Sequence, residues 1–255
     1  MTRLALLLVG LLTIGGQARA ETMITSLSTH RLQIASNFVG SEIVLFGAIE
    51  RDAQTISRTG TYDIAVVVRG PRGTIVTRQK SRVLGIWMNT RSREFVDVPT
   101  AYSVVTNRPT GDIADLDLRK RHQIGLDGLI LLQTARLGEE AEAGQPFREA
   151  FVRINMARGL YRENPTGITF LSPTLFRANI RVVPNTPVGT FDVDIFLLSG
   201  GAILARESTN FEVTKTGFEA FVANAAQNYG FYYGLAAAII ALFTGWSASI
   251  IFRRD

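Results

Sequence analysis

Apolar and polar positions along this chain fall into three regimes: strand-like alternation, a helical stretch, and one long uncharged run. Residues 32–35, 42–49, 62–69 and 74–80 are rich in β-branched and aromatic side chains and are parted by turn-forming stretches, which predicts strands. Within 62–69, Tyr62, Ile64, Val66 and Val68 alternate with Asp63 and Ala65 until Val67 breaks the pattern. Gly70-Pro71-Arg72-Gly73 reads as a hairpin turn, since Pro suits its second position. Residues 82–88 and 94–98 continue the sheet. Strands return at 177–183, 190–199 and 202–213, the last two joined through Gly200-Gly201, which permits a tight two-residue turn. In 190–199, Phe191, Val193, Ile195 and Leu197 face one way, with Asp192 and Asp194 opposite.

Between the two sets of strands the period changes to that of a helix. Asp112 is placed to cap a helix with Asp115 at its third position, and Ile113, Leu116, Ile124, Leu126, Leu129, Ile130 and Leu132 supply apolar content. Gly125 and Gly128 weaken it, so a helix is expected here, either continuous or broken. After the acidic linker 138–145, a second helix starts at Pro146, places Phe147, Ala150, Phe151, Ile154 and Ala157 on one face, pairs Glu149 with Arg153 and ends at Gly159. The fold class is therefore mainly β: an immunoglobulin-like β-sandwich over 21–215 with a two-helix insert at about 112–159. Two small β domains bridged by helices are the alternative.

The two ends carry membrane signals. Arg3 precedes an apolar run from Leu4 to Ile14 and then Ala18-Arg19-Ala20, the pattern of a cleaved signal peptide over 1–20. An uncleaved anchor is the alternative. Residues 229–252 carry no charged side chain and make about 36 Å of helix, enough to cross a hydrocarbon core of roughly 30 Å. Tyr229, Phe231, Tyr232 and Tyr233 form an aromatic belt at one interface, and Arg253 and Arg254 begin a cytoplasmic stub, 253–255, at the other. The expected orientation holds everything from Glu21 to about Gln227 outside the membrane. Residues 216–228, with Thr216 as cap and Phe218, Phe221, Val222 and Ala225 on one face, read as a juxtamembrane amphipathic helix. Ala237, Ala241, Gly245 and Ser249 recur every four residues, a stripe of small side chains where another helix could approach.

Composition narrows the chemistry. The formal net charge is +5, but Arg3, Arg19, Arg253 and Arg254 lie in the terminal segments, so the central part is close to neutral and a nucleic-acid partner is not expected. Cysteine is absent, which removes disulfides, zinc-thiolate sites and thiol nucleophiles. The two histidines, His30 and His122, have no HxH or HExxH companion, and His122 reads as part of a solvated helix face; no metal site and no cofactor is expected. Asp112, Asp115 and Asp117 are explained by a helix start, where carboxylates favour the positive end of the dipole. Ser199-Gly200-Gly201 reads as a hairpin tip rather than a nucleophile turn, and neither a Walker lysine motif nor GxGxxG occurs. The remaining candidate is a basic run without a carboxylate, in which Arg69, Arg72, Arg78, Lys80 and Arg82 form a candidate anion site, for a solute, lipid headgroups or an acidic partner surface. Solvated edge-strand positions are the plainer reading.

With "NFVGSEIVLFGAIE" near the start, "RHQIGLDGLILL" in the middle and "TPVGTFDVDIFLLSGG" before the anchor, the layout resembles the putative transmembrane protein family of alphaproteobacteria. The resemblance implies a Gram-negative inner-membrane protein with its domain in the periplasm, and ranks a sulfite-exporter-type permease first among partners. It supplies no catalytic residues to carry over. Three readings of function follow, in order: an accessory subunit of another inner-membrane protein, a binding module for an anionic ligand or envelope polymer, and, last, a hydrolase. No enzymatic activity is expected.

Overall fold

The computed structural model describes residues 21–35, 37–50, 61–134, 144–217, 222 and 225–252. The expected signal peptide, the linker 138–143, Phe218, Phe221, Arg253 and Arg254 lie outside the described residues. In chain order the elements are β1 (Thr22–Leu27), β2 (Arg31–Ile34), β3 (Ser41–Glu50), β4 (Asp63–Arg69), β5 (Arg72–Val83), β6 (Ile86–Pro99), β7 (Tyr102–Thr106), α1 (Thr110–Ile113), α2 (Leu116–His122), β8 (Leu132–Thr134), α3 (Gln145–Ala157), β9 (Tyr161–Asn164), β10 (Ile168–Phe170), β11 (Leu175–Val182), β12 (Gly189–Ser199), β13 (Ala202–Lys215) and α4 (Gly230–Ile251).

The strands form three sheets, ordered β1-β3-β11-β10, β2-β13-β12-β4-β7-β9 and β5-β6-β8. The first two share one core. Ile43 and Leu45 of β3 and Phe176, Ala178 and Ile180 of β11 cluster with Ile64, Val66 and Val68 of β4 and Phe191, Val193, Ile195 and Leu197 of β12. Thus the apolar set expected on one side of 190–199 is buried in this shared core.

The other face of the six-stranded sheet is covered as well. Ala65 and Val67 of β4, Val104 of β7 and Phe196 and Leu198 of β12 pack with Phe95 of β6, Ile113, Ile124, Leu129, Phe147 and Phe151. Here lies the reason for the broken alternation at Val67: a strand with both faces covered is apolar on both. Phe151 stacks on Phe95 with ring centroids 4.6 Å apart, and meets Tyr161 edge-on at 5.6 Å. The Tyr102 hydroxyl donates to the carbonyls of Gln123 (2.6 Å) and Gly125 (3.1 Å), tying the segment after α2 to β7.

Several expectations are corrected. Gly70–Gly73 does not join a hairpin, because β4 pairs with β12 and β7 rather than with β5. Instead the segment is held against the start of β7: Gly70 N–H donates to Ala101 O (2.8 Å) and Thr100 N–H to Pro71 O (2.9 Å). The true hairpin is β5–β6, and it turns inside the expected strand 82–88, at Leu84-Gly85. The first helix is split into α1 and α2, and its cap is Asp115 rather than Asp112; the Asp115 carboxylate accepts Leu118 N–H at 2.7 Å. Ile124 and Leu129 are buried without being helical, and Leu132 belongs to β8. Among its described residues the insert therefore holds three helices and a strand, not two helices. α3 agrees with its expected start, although its buried positions are Phe147, Phe151 and Asn155, with Ile154 exposed.

Candidate functional site

Alternation along β12 and β13 builds one wall of a cleft. Asp192, Asp194 and Phe196 point away from the shared core, and their cross-strand partners on β13 are Asn210, Ser208 and Arg206. On the other side of β12, Arg69 ends β4 opposite Asp192. Arg121 and His122 at the end of α2, together with Arg72, complete the lining of an open cleft of about 470 Å³.

Asp194 organises the cleft. Its carboxylate accepts from Ser208 Oγ (2.6 Å), from Arg206 Nη2 (2.8 Å) and from Arg69 Nη1. Burial works to raise its pKa, but the hydrogen bonds from Ser208 and Arg206 and the charges of Arg69 and Arg206 outweigh it and hold the carboxyl below its ordinary range. The second arm of Arg69 donates to the His122 carbonyl at 2.9 Å, so one guanidinium fastens α2 to the sheet. Arg69 Nε is buried and has no hydrogen-bond partner within the described residues. The Arg206 guanidinium lies 5.4 Å over the Phe196 ring, and His122 meets the same ring edge-on at 5.5 Å. Burial lowers the His122 pKa, and the neighbouring Arg206 and Arg121 push it further down, against Asp194. The cleft therefore sets the guanidiniums of Arg69, Arg72, Arg121 and Arg206 against the carboxylates of Asp192 and Asp194, with an imidazole and hydroxyl and amide groups beside them; the cations outnumber the carboxylates, so the set has charge left over for an oxyanion.

The predicted anion residues are divided between two places. Arg69 and Arg72 reach the cleft, where Arg72 is bound to Asp97 at 2.9 Å. Arg78, Lys80 and Arg82 travel outward along β5 and are exposed. Arg121, His122, Asp194, Arg206 and Ser208 were not assigned to a site from sequence, and His122 is corrected from a solvated helix face to a cleft wall. The available signal was the placement of Asp192 and Asp194 on the outer face of a strand whose next outward residue is Phe196.

Asp63 serves the fold rather than the cleft. Asp63, at the start of β4, accepts from Arg108 Nε (2.7 Å) and Asn107 Nδ2 (3.0 Å). Among the described residues no group of three or more His, Asp or Glu could hold a metal ion. On α4, Ala237, Ala241, Gly245 and Ser249 are all exposed, as is almost the whole helix. That helix is long and apolar enough to cross a membrane, with mean hydropathy 1.9.

Residues 22–254 match the family model described as "Putative transmembrane protein". A search of curated proteins finds no match.

Proposed function

The chain belongs to that transmembrane family, and from this premise we propose that it is a membrane-anchored periplasmic binding module that takes an anionic ligand into the cleft around Arg69, Asp194 and Arg206. One observation carries the reading: guanidiniums from β4, β13 and α2 converge on a single polar cleft, and the buried Nε of Arg69 has no partner among the described residues. The two sheets with a common core are read as an immunoglobulin-like sandwich. The signal-peptide pattern and Arg253-Arg254 support a domain outside the inner membrane and a carboxyl end inside it. No catalytic role is assigned.

The test is calorimetry on the full chain in mild detergent with phosphate, sulfate and dicarboxylates. Binding is expected, and Arg121→Ala, at an exposed position, should weaken it roughly tenfold, the worth of one charge-assisted hydrogen bond of about 1.5 kcal/mol. If no anion gives heat or raises the melting temperature, the reading fails.

A second reading, an accessory subunit of another inner-membrane protein such as a permease, is favoured by the small residues Ala237, Ala241, Gly245 and Ser249 along an uncovered helix. Crosslinking in native membranes should capture a partner, and Gly245→Leu should reduce that capture. Recovery of the protein alone from both forms counts against it.

A further inference from the structure

The hairpin of β5 and β6 outruns everything that packs on it. Thr77 and Arg93, opposite each other, are buried, whereas residues 78–92 are exposed apart from the half-buried Ser81. At about 3.4 Å per residue the tip stands roughly 20 Å beyond that last buried pair. The tip is apolar: Ile86 and Trp87 are about two-thirds exposed, Met88 is exposed, and Leu84 is 99 % exposed. Leu84 and Gly85 both have positive φ, 50° and 88°, the geometry of a type I′ turn. Such a turn favours Asn-Gly, and a bulky residue there is strained. Leu84 thus occupies a position where turn propensity disfavours it and no packing against the described residues compensates.

The register sorts the side chains. Lys80 lies opposite Asn89 and Arg82 opposite Trp87 on one face, while Ser81 lies opposite Met88 and Val83 opposite Ile86 on the other. Arg78 and Arg91 extend the basic stem, and no carboxylate occurs anywhere from Ile64 to Arg93. Apolar groups therefore surround a tip only two strands wide, rather than forming one flat patch. A fluid medium that closes around a wedge from every side suits this shape better than a rigid protein surface does.

Topology puts the base of the hairpin at the end of the sheet from which the chain leaves for α4. β4 ends at Arg69, level with Asp192 and Asn210, at the same end of the sheet where β13 runs out at Lys215. The connection from Lys215 to Gly230 spans at most about 50 Å when extended, which keeps this end of the sheet within that distance of the start of α4.

We propose that the β5–β6 tip is a second membrane contact: Leu84, Ile86, Trp87 and Met88 enter the interfacial layer of an anionic bilayer, and Arg78, Lys80, Arg82 and Arg91 bind its headgroups. Tryptophan prefers that layer, and basic side chains are drawn to anionic lipid. The proposal is independent of the cleft.

The chain has two tryptophans, so Trp246→Phe leaves Trp87 as the sole reporter in the full-length protein. Reconstituted into bilayers of phosphatidylcholine with phosphatidylglycerol, Trp87 emission should shift to the blue and lose most of its intensity to lipids spin-labelled near the headgroup. Replacing Arg78, Lys80 and Arg82 together by alanine should abolish the dependence on phosphatidylglycerol. Leu84→Asn, which suits the turn, should keep the melting temperature and lose the quenching. Emission that stays that of an aqueous indole in the anionic bilayer overturns the proposal, as does quenching that survives Leu84→Asn. Burial of Trp87 only on addition of a copurifying protein also overturns it, and makes the hairpin a protein-docking element.

Discussion

At the scale of single residues, Asp194 is the group on which the cleft depends. The Arg69 side chain is 11 % exposed and would keep its charge without its partner if Asp194 were removed. Breaking a buried pair by deleting one member costs about 3–5 kcal/mol, so Asp194→Ala should lower urea stability of the full chain in detergent by that order. Arg206→Ala removes a half-exposed partner and should cost much less. The pH dependence has one sign for both perturbed groups. Asp194 and His122 are each held below their ordinary values, so the unfolded chain binds more protons at these sites and stability rises with pH. The Asp194 contribution is complete above about 3.9, the unfolded value, and is lost as pH falls through its lower folded value. The His122 contribution is likewise complete above about 6.5 and is lost as pH falls through its own folded value. An NMR titration should show His122 below an ordinary histidine and returning toward it in Arg206→Ala. If an anion occupies the cleft, the same titration should move upward on binding, because the imidazolium then has a counter-charge.

Among the elements, the tightest constraint lies between β3 and β11. Gly47 is opposite Phe176, and a Cβ at position 47 would sit 2.1 Å from the Phe176 ring, which is fully buried. Gly47→Ala should therefore cost about 1–3 kcal/mol through overpacking, read as a lower urea midpoint. The β12–β13 turn behaves oppositely: Gly200 and Gly201 have φ of 58° and 82°, and a Cβ at either meets nothing within 4 Å, so Gly200→Asn should leave stability unchanged or slightly raised. That turn was legible in the sequence, because two glycines between alternating strands leave few other readings. Leu84-Gly85 was not, since leucine in a run of β-forming residues hides a turn that Asn would have announced. Pairing was the harder level. Gly70-Pro71 has the local chemistry of a turn, yet the partners of β4 are β12, distant in sequence, and β7, a five-residue strand whose neighbours are both non-local. The cleft was half legible for the same reason: Arg69 and Arg72 stood out in a basic run, whereas His122 and Arg206 reach them only through tertiary packing.

For the whole molecule, the solvent around α4 decides the arrangement of everything else. Its 22 residues make about 33 Å of helix, and Ile239, Ile240, Leu242, Phe243 and Trp246 are all exposed, so no part of the described chain shields them from water. Lipid is the medium that removes this cost. An arginine at the centre of such a helix disfavours insertion by about 2.5–3.5 kcal/mol, so Ile240→Arg should increase the fraction released from membranes by alkaline washing. Sidedness follows from a separate measurement that the composition makes clean. The chain contains no cysteine, so Ala202→Cys, exposed at the far end of β13 from the anchor, introduces a single thiol. A domain outside the inner membrane makes that thiol react with a membrane-impermeant maleimide in intact spheroplasts. If it is labelled only after lysis, the domain faces the cytoplasm, and the periplasmic ligand and the outer-leaflet contact of the hairpin fall together, while the cleft and the exposed tip keep their geometry and must be matched to cytoplasmic anions and the inner leaflet instead.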